Sequence, residues 1–147
     1  MMRNLNETLD EITRIAEWYR GQNSHIESSR KNIDALLKAR RLLAANQVDL
    51  AYVVASAKEA RDKAVFARKQ SFSTKVLEYR ESGLTVGESE HKANIETETH
   101  REIERGAEKA FEQAKLIYQS VNDILNAIAG DIRLLQYEYE KTNYRND

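Results

Sequence analysis

The sequence has no cysteine, no proline and only five glycines. Without cysteine it can form no disulfide and offers no thiolate metal ligand or thiol nucleophile. Average usage of about 5% would place roughly seven prolines in a chain of this length. Proline breaks helix interiors and marks loops, so its absence points to long helices joined by short connections. Charge of one sign is lacking too. The 23 Lys and Arg stand against 24 Asp and Glu, and the net charge of −1 by itself announces neither nucleic acid nor a membrane. No stretch approaches the ~18 apolar residues that a membrane span needs. The opening MMRNLNETLDE has no apolar core and no cleavage signal, so a cytoplasmic chain without a leader is expected. A length of 147 residues fits one helical domain, residues 1–147.

Apolar residues recur at helical intervals. Leu5, Leu9, Ile12, Ala16 and Tyr19 alternate steps of four and three, which is one face of a helix. Ile26, Ile33, Leu37 and Ala44 continue the frame past Gly21, so the spacing predicts one helix over residues 4–45 with a weak point or bend at Gly21. A short turn is expected at Asn46-Gln47. An alanine-rich helix over 48–81 follows, and Gly83 is placed to end it in the left-handed conformation. Thr85 and Glu88 then form a capping-box pattern that opens a last helix over 86–141. In that helix Phe111, Tyr118, Leu125, Ile132 and Tyr139 stand seven apart, as do Ala107, Ala114, Val121, Ile128 and Leu135. Ala110, Ile117 and Ile124 form a third column, interrupted by Asp131. Three columns make a face wide enough for two neighbours. The predicted fold is all-α, an elongated three-helix coiled coil or helical hairpin bundle with a disordered tail over 142–147. A homo-oligomer is expected, held through Phe111, Ile117, Tyr118, Val121, Leu125, Ile128, Ile132 and Leu135.

Charge is segregated along the chain. Lys58, Arg61, Lys63, Arg68, Lys69, Lys75 and Arg80 face only Glu59, Asp62 and Glu78 within their segment. Arg30, Lys31, Lys38, Arg40 and Arg41 add to the basic character of the residues before it. The stretch 88–112 holds eight glutamates against four basic residues. Phe66, Phe72 and Tyr79 interleave the basic stretch. Cations that neutralise phosphates beside aromatics that stack bases are how single-stranded nucleic acid is held. Alternatively, the cations are the solvated face of a helix whose aromatics pack inward.

Residues for catalysis are hard to find. A site needs converging groups in a concave pocket, and the sequence has no Gly-rich phosphate loop and no Ser-His-Asp arrangement, so no enzyme and no cofactor are expected. Glu88 and His91 have the Glu-x-x-His spacing of di-metal bundles, but His100 is preceded at that spacing by Thr97. Glu96, His100 and Glu104 share a polar helical face, which ordinary i,i+4 pairing explains, and no metal site is expected. His25 reads as a surface residue. Asp131, Asn122 and Asn126 lie on or beside the apolar face, where a polar residue sets register or oligomeric state.

An Ala- and Lys/Arg-rich helix ending in Lys75-Val-Leu-Glu-Tyr-Arg80, a short polar turn, and a long Glu-, Lys- and Ala-rich helix finishing in aliphatic residues resembles small helical accessory proteins of tailed phages. Among these it is similar to the UvsY family of recombination mediators over roughly Leu50 to Leu135. That resemblance implies single-stranded DNA binding, a ring-like oligomer, loading of a RecA-like recombinase and a bacterial host cytoplasm. The DNA contacts would fall on Lys58, Arg61, Lys63, Arg68, Lys69, Lys75 and Arg80. The alternatives are a structural or adaptor coiled coil, such as a virion, tail or scaffold component, and a helical inhibitor of a host protein acting through the acidic segment 88–112. One feature separates them. A DNA surface requires the seven cations to converge on exposed ground, whereas a scaffold pairs them with Glu96 through Glu112 across an antiparallel interface.

Overall fold

A computed structural model describes residues 4–23 and 33–145. The fold is all-α, with α1 (Leu5–Asn23), α2 (Ile33–Glu81), α3 (Val86–Glu96) and α4 (Glu98–Tyr144), and there is no strand among the described residues. The chain forms two compact units rather than the single domain expected. The first contains Met1–Val53 and Leu116–Asp147, the second Val54–Lys115. Both α2 and α4 contribute to each.

The first unit packs α1 and the facing parts of α2 and α4 around one apolar cluster. Ile12 and Ile15 come from α1, Leu36, Ala39, Leu43 and Leu50 from α2, and Val121, Ile128, Ile132 and Leu135 from α4. Leu9, Trp18, Tyr19, Ile117, Tyr118, Ile124 and Leu125 pack around them. This cluster explains why the expected helix over 4–45 is two helices. In one straight helix Ile15 and Leu36 would stand about 32 Å apart at 1.5 Å per residue, yet here they share one core. Residues 24–32, with His25 and Ile26 of the expected frame and Arg30 and Lys31, lie outside the described residues. Of the expected frame, Ile12 is buried in this core and Leu9, Tyr19, Ile33 and Leu37 pack against it, whereas Leu5 and Ala44 are exposed.

The expected turn at Asn46-Gln47 is helix. Leu36, Ala39, Leu43, Asn46 and Leu50 follow one another at steps of three and four, so Asn46 occupies a core position and is 1% exposed. Its Nδ2 donates to the Leu42 carbonyl at 2.8 Å, which returns the amide to its own helix. Asparagine weakens a helix by a few tenths of a kcal/mol to about 0.7, too little to interrupt one whose neighbours are buried. Its Oδ1 and the Oγ1 of Thr8 are buried without a partner among the described residues. Asp131 also reaches across the unit, accepting a hydrogen bond from the Tyr19 hydroxyl at 2.5 Å.

Local signals past Glu81 match the structure. Gly83 has φ +92, its N–H donates to the Arg80 carbonyl, and the Leu84 N–H donates to that of Tyr79, the paired bonds of a Schellman stop. Thr85 caps α3 through a complete capping box with Glu88. The expected helix over 86–141 is broken at Thr97, whose buried Oγ1 donates to the Ala93 carbonyl at 2.7 Å. Such back-bonding bends helices. At the other end α4 continues to Tyr144, so residues 142–144 of the expected disordered tail are helical.

Two substitutions test this packing. Leu43→Ala should lower unfolding stability by about 2–5 kcal/mol, read as a fall in the urea midpoint. Asn46→Leu should raise that midpoint by about 1 kcal/mol, because it removes a buried unpaired acceptor.

Candidate functional site

The second unit places the charged residues singled out from the sequence. Its helices run antiparallel through a seam of small side chains: Ala64 on α2, Ser89 and Ala93 on α3, Thr97 after it, and Ala114 on α4 are all buried. Small residues bring the backbones close and bury little apolar area, and the cations are drawn in beside them. Arg61, Arg68 and Lys75 stand seven residues apart along the α2 edge of this seam. Each meets a glutamate across it. The Arg61 Nε lies 3.8 Å from Glu108 Oε2, Arg68 pairs with Glu104, and the Lys75 Nζ lies 3.6 Å from Glu96 Oε2.

Further contacts knit these pairs together. The Arg61 guanidinium lies 4.5 Å from the centroid of the Phe111 ring, and Lys115 approaches the same ring at 4.9 Å. Phe111 is thereby buried with cations as its neighbours, a cation–π arrangement. The Tyr79 hydroxyl donates to Glu96. That hydrogen bond, with Lys75 and Lys92 nearby, holds the Glu96 carboxyl below the usual carboxylate range. Lys75 is raised from the ordinary lysine value, first by Glu78 and then by Glu96. The Arg68–Glu104 pair is the most sheltered of the interhelical pairs, with side chains 28% and 24% exposed, and water screens the others more strongly.

The remaining cations divide into two groups. Lys63 pairs with Glu59 of its own helix at 2.8 Å. Lys58 and Lys69 are exposed and have no carboxylate within ion-pair distance among the described residues. Arg80 reaches only the Leu84 carbonyl, at 3.5 Å. Of the interleaved aromatics Phe66 is 67% exposed, whereas Phe72 and Tyr79 are half-buried. The seven cations therefore do not converge on one surface, because the seam claims three of them and an intrahelical pair a fourth.

The acidic segment is spent in the same way. Glu88 caps α3, Glu98 binds Arg101 and Arg105, and Glu112 binds Lys115. Glu90 and Glu102 stay exposed with neither a cap nor an ion pair among the described residues. Glu96 and Glu104, two of the three groups on the polar face with His100, are committed to Tyr79, Lys75 and Arg68. No group of three His, Asp or Glu side chains among the described residues could hold a metal ion.

The expected oligomer interface is corrected by the same geometry. Val121, Ile128, Ile132 and Leu135 are core residues of the first unit, with Ile117, Tyr118 and Leu125 packed against them. Phe111 is buried in the second unit. Within the chain these columns pack on the described helices, and Ile117, Tyr118 and Leu125 are only partly buried there. Asn122 is exposed and accepts from Gln47 Nε2 at 3.4 Å, and Asn126 is exposed. The buried polar residues of the first unit are instead Asn46 and Thr8. The three-four spacing around Asn46 carried that signal, masked by the residue's reputation as a turn former. No helix among the described residues is long and apolar enough to cross a membrane. A shallow depression beside Phe66 is lined by Ala55, Lys58, Glu59, Asp62 and Lys63, all from α2, and so is an outer helix surface rather than an enclosed chamber. No protein-family model, curated protein or solved structure matches the chain.

Two measurements probe the seam. Arg68→Glu and Glu104→Arg should each destabilise the second unit, and their combination should restore stability, with a coupling energy up to about 1 kcal/mol in a double-mutant cycle. A carboxyl held low in the folded state stabilises the fold above its unfolded pKa and loses that contribution as pH falls through the folded value. Protection factors of the amides around Tyr79 and Glu96, corrected for intrinsic exchange, should therefore fall as pH is lowered through the carboxylate range, and Glu96→Gln should flatten that dependence.

Proposed function

We propose that this chain is a non-enzymatic adaptor or scaffold protein that works through helix–helix contacts. The observation that carries this reading is the row of Arg61–Glu108, Arg68–Glu104 and Lys75–Glu96 pairs. It commits three cations of the basic stretch and three glutamates of the acidic stretch to internal structure. A protein built to hold a polyanion keeps its cations on accessible ground, because affinity comes from neutralising phosphates and releasing counterions. Here the cations at the seam hold a hairpin whose small side chains supply little apolar burial.

The single-stranded DNA role implied by the phage-mediator resemblance is the second reading, and Phe66 with Lys58, Lys69 and Arg80 is the exposed ground it would use. Three uncompensated cations limit the log-log salt slope of one chain to about −2. The test is fluorescence anisotropy of a labelled poly-dT oligonucleotide across salt concentrations, on protein whose mass is known from light scattering. Folded protein is expected to give no binding at low salt. A slope of several units, abolished by reversing Lys58, Lys69 and Arg80 to Glu, would replace the adaptor reading with the mediator one. Those three positions are the right ones to reverse, since reversing Arg68 or Lys75 would break the hairpin itself.

A further inference from the structure

The outer face of α2 in the second unit carries a regular pattern that the seam does not use. Ala55, Phe66 and Leu77 are spaced eleven residues apart, and Lys58, Lys69 and Arg80 repeat the same interval three positions later. Phe66 and Leu77 are 67% and 62% exposed, and Ala55, Lys58, Lys69 and Arg80 are exposed as well. An interval of eleven gives 3.67 residues per turn, close to the natural 3.6 of a helix. Each apolar residue therefore lies almost directly along the helix from the last, about 16.5 Å away. The cations line one edge of this row. Four positions after each apolar residue come Glu59, Gln70 and Glu81, which line the other edge together with Lys63, and Lys63 is neutralised there by its pair with Glu59.

We propose that this face docks an amphipathic helix of a partner protein. The partner's apolar residues meet Ala55, Phe66 and Leu77, and its acidic residues lie along the edge that faces Lys58, Lys69 and Arg80. The proposal rests on the adaptor reading and names the chemistry of what the adaptor holds. Charge complementarity selects this occupant. The three cations are the members of the basic stretch left without a carboxylate among the described residues, and they share one edge. Glu81 on the opposite edge, without an ion pair among the described residues, would repel a phosphate strand, and Leu77 and Ala55 offer a base nothing to stack on. For a bilayer surface the row is too narrow, because interfacial helices bury a broad apolar face. A helix lying alongside matches the row in length: the span from Ala55 to Leu77 is about 33 Å. The opposite character of the two edges also sets which way the partner lies. A contact of this width falls in the range of weak, exchangeable complexes rather than permanent ones.

The test uses the full chain and a fluorescein-labelled synthetic helical peptide long enough to span Ala55 to Leu77. The peptide has leucine every eleven positions and glutamate along one edge, and a twin has lysine in place of every glutamate. The acidic peptide should bind at least about tenfold more tightly than its twin. Phe66→Ser and Lys69→Glu should each weaken it by a similar factor. Both side chains are exposed, so circular dichroism should be unchanged and loss of binding can be told from loss of fold. Equal binding of the two peptides, or binding indifferent to both substitutions, overturns the proposal and leaves the adaptor reading standing on the seam. Concentration-dependent self-association abolished by Phe66→Ser overturns it in favour of a second copy of this chain. Poly-dT binding lost on Lys69→Glu overturns both this proposal and the adaptor reading.

Discussion

Burial of the aliphatic columns of α4 against α1 and the first part of α2 is the constraint on which the first unit depends. Val121, Ile128, Ile132 and Leu135 meet Ile12, Ile15, Leu36, Leu43 and Leu50 in one cluster. Each fully buried side chain of this size contributes about 1.5–3 kcal/mol, and the cluster is what pairs α1 with a helix that follows it in the chain. Polar groups also enter this unit. Tyr19 and Asp131 fix α1 against α4, and Asn46 returns its amide to Leu42.

The second unit solves the same problem with different material. Its seam is built from Ala64, Ser89, Ala93, Thr97 and Ala114, which bury little area and let helices approach closely. Ion pairs and cations over the Phe111 ring supply what the small side chains do not. These interactions depend on geometry and charge rather than area, so they specify which residue faces which more strongly than they stabilise. For a protein that acts through contacts, a hairpin aligned in this way presents a fixed outer surface to its surroundings.

Charge segregation along a sequence is an ambiguous signal for this reason. The run from Lys58 to Arg80 looks like a polyanion site, and the run from Glu88 to Glu112 looks like its mimic. When two such runs are joined by the Schellman stop at Gly83 and the cap at Thr85, they fold onto each other and each neutralises the other. Position on the helix then decides the fate of the cations: Arg61, Arg68 and Lys75 fall at the seam, Lys63 pairs with Glu59 of its own helix, and Lys58, Lys69 and Arg80 fall on the outside.

The sequence by itself determined the helical class, the stop at Gly83, the cap at Thr85–Glu88 and the apolar columns of the last helix. These follow from propensity, spacing and bonds between near neighbours, which one segment carries on its own. The helical course through Asn46 and the meeting of α1 and α2 in one core were decided by tertiary structure. At Asn46 a residue's local preference was outweighed by what lay across the core. Periodicity records that a face is buried and carries no label for its partner, and in the first unit the columns of α4 meet helices of their own chain. The destination of the seven cations was likewise a tertiary matter, since an ion pair between residues 36 positions apart, as in Arg68–Glu104, exists only once the hairpin has closed.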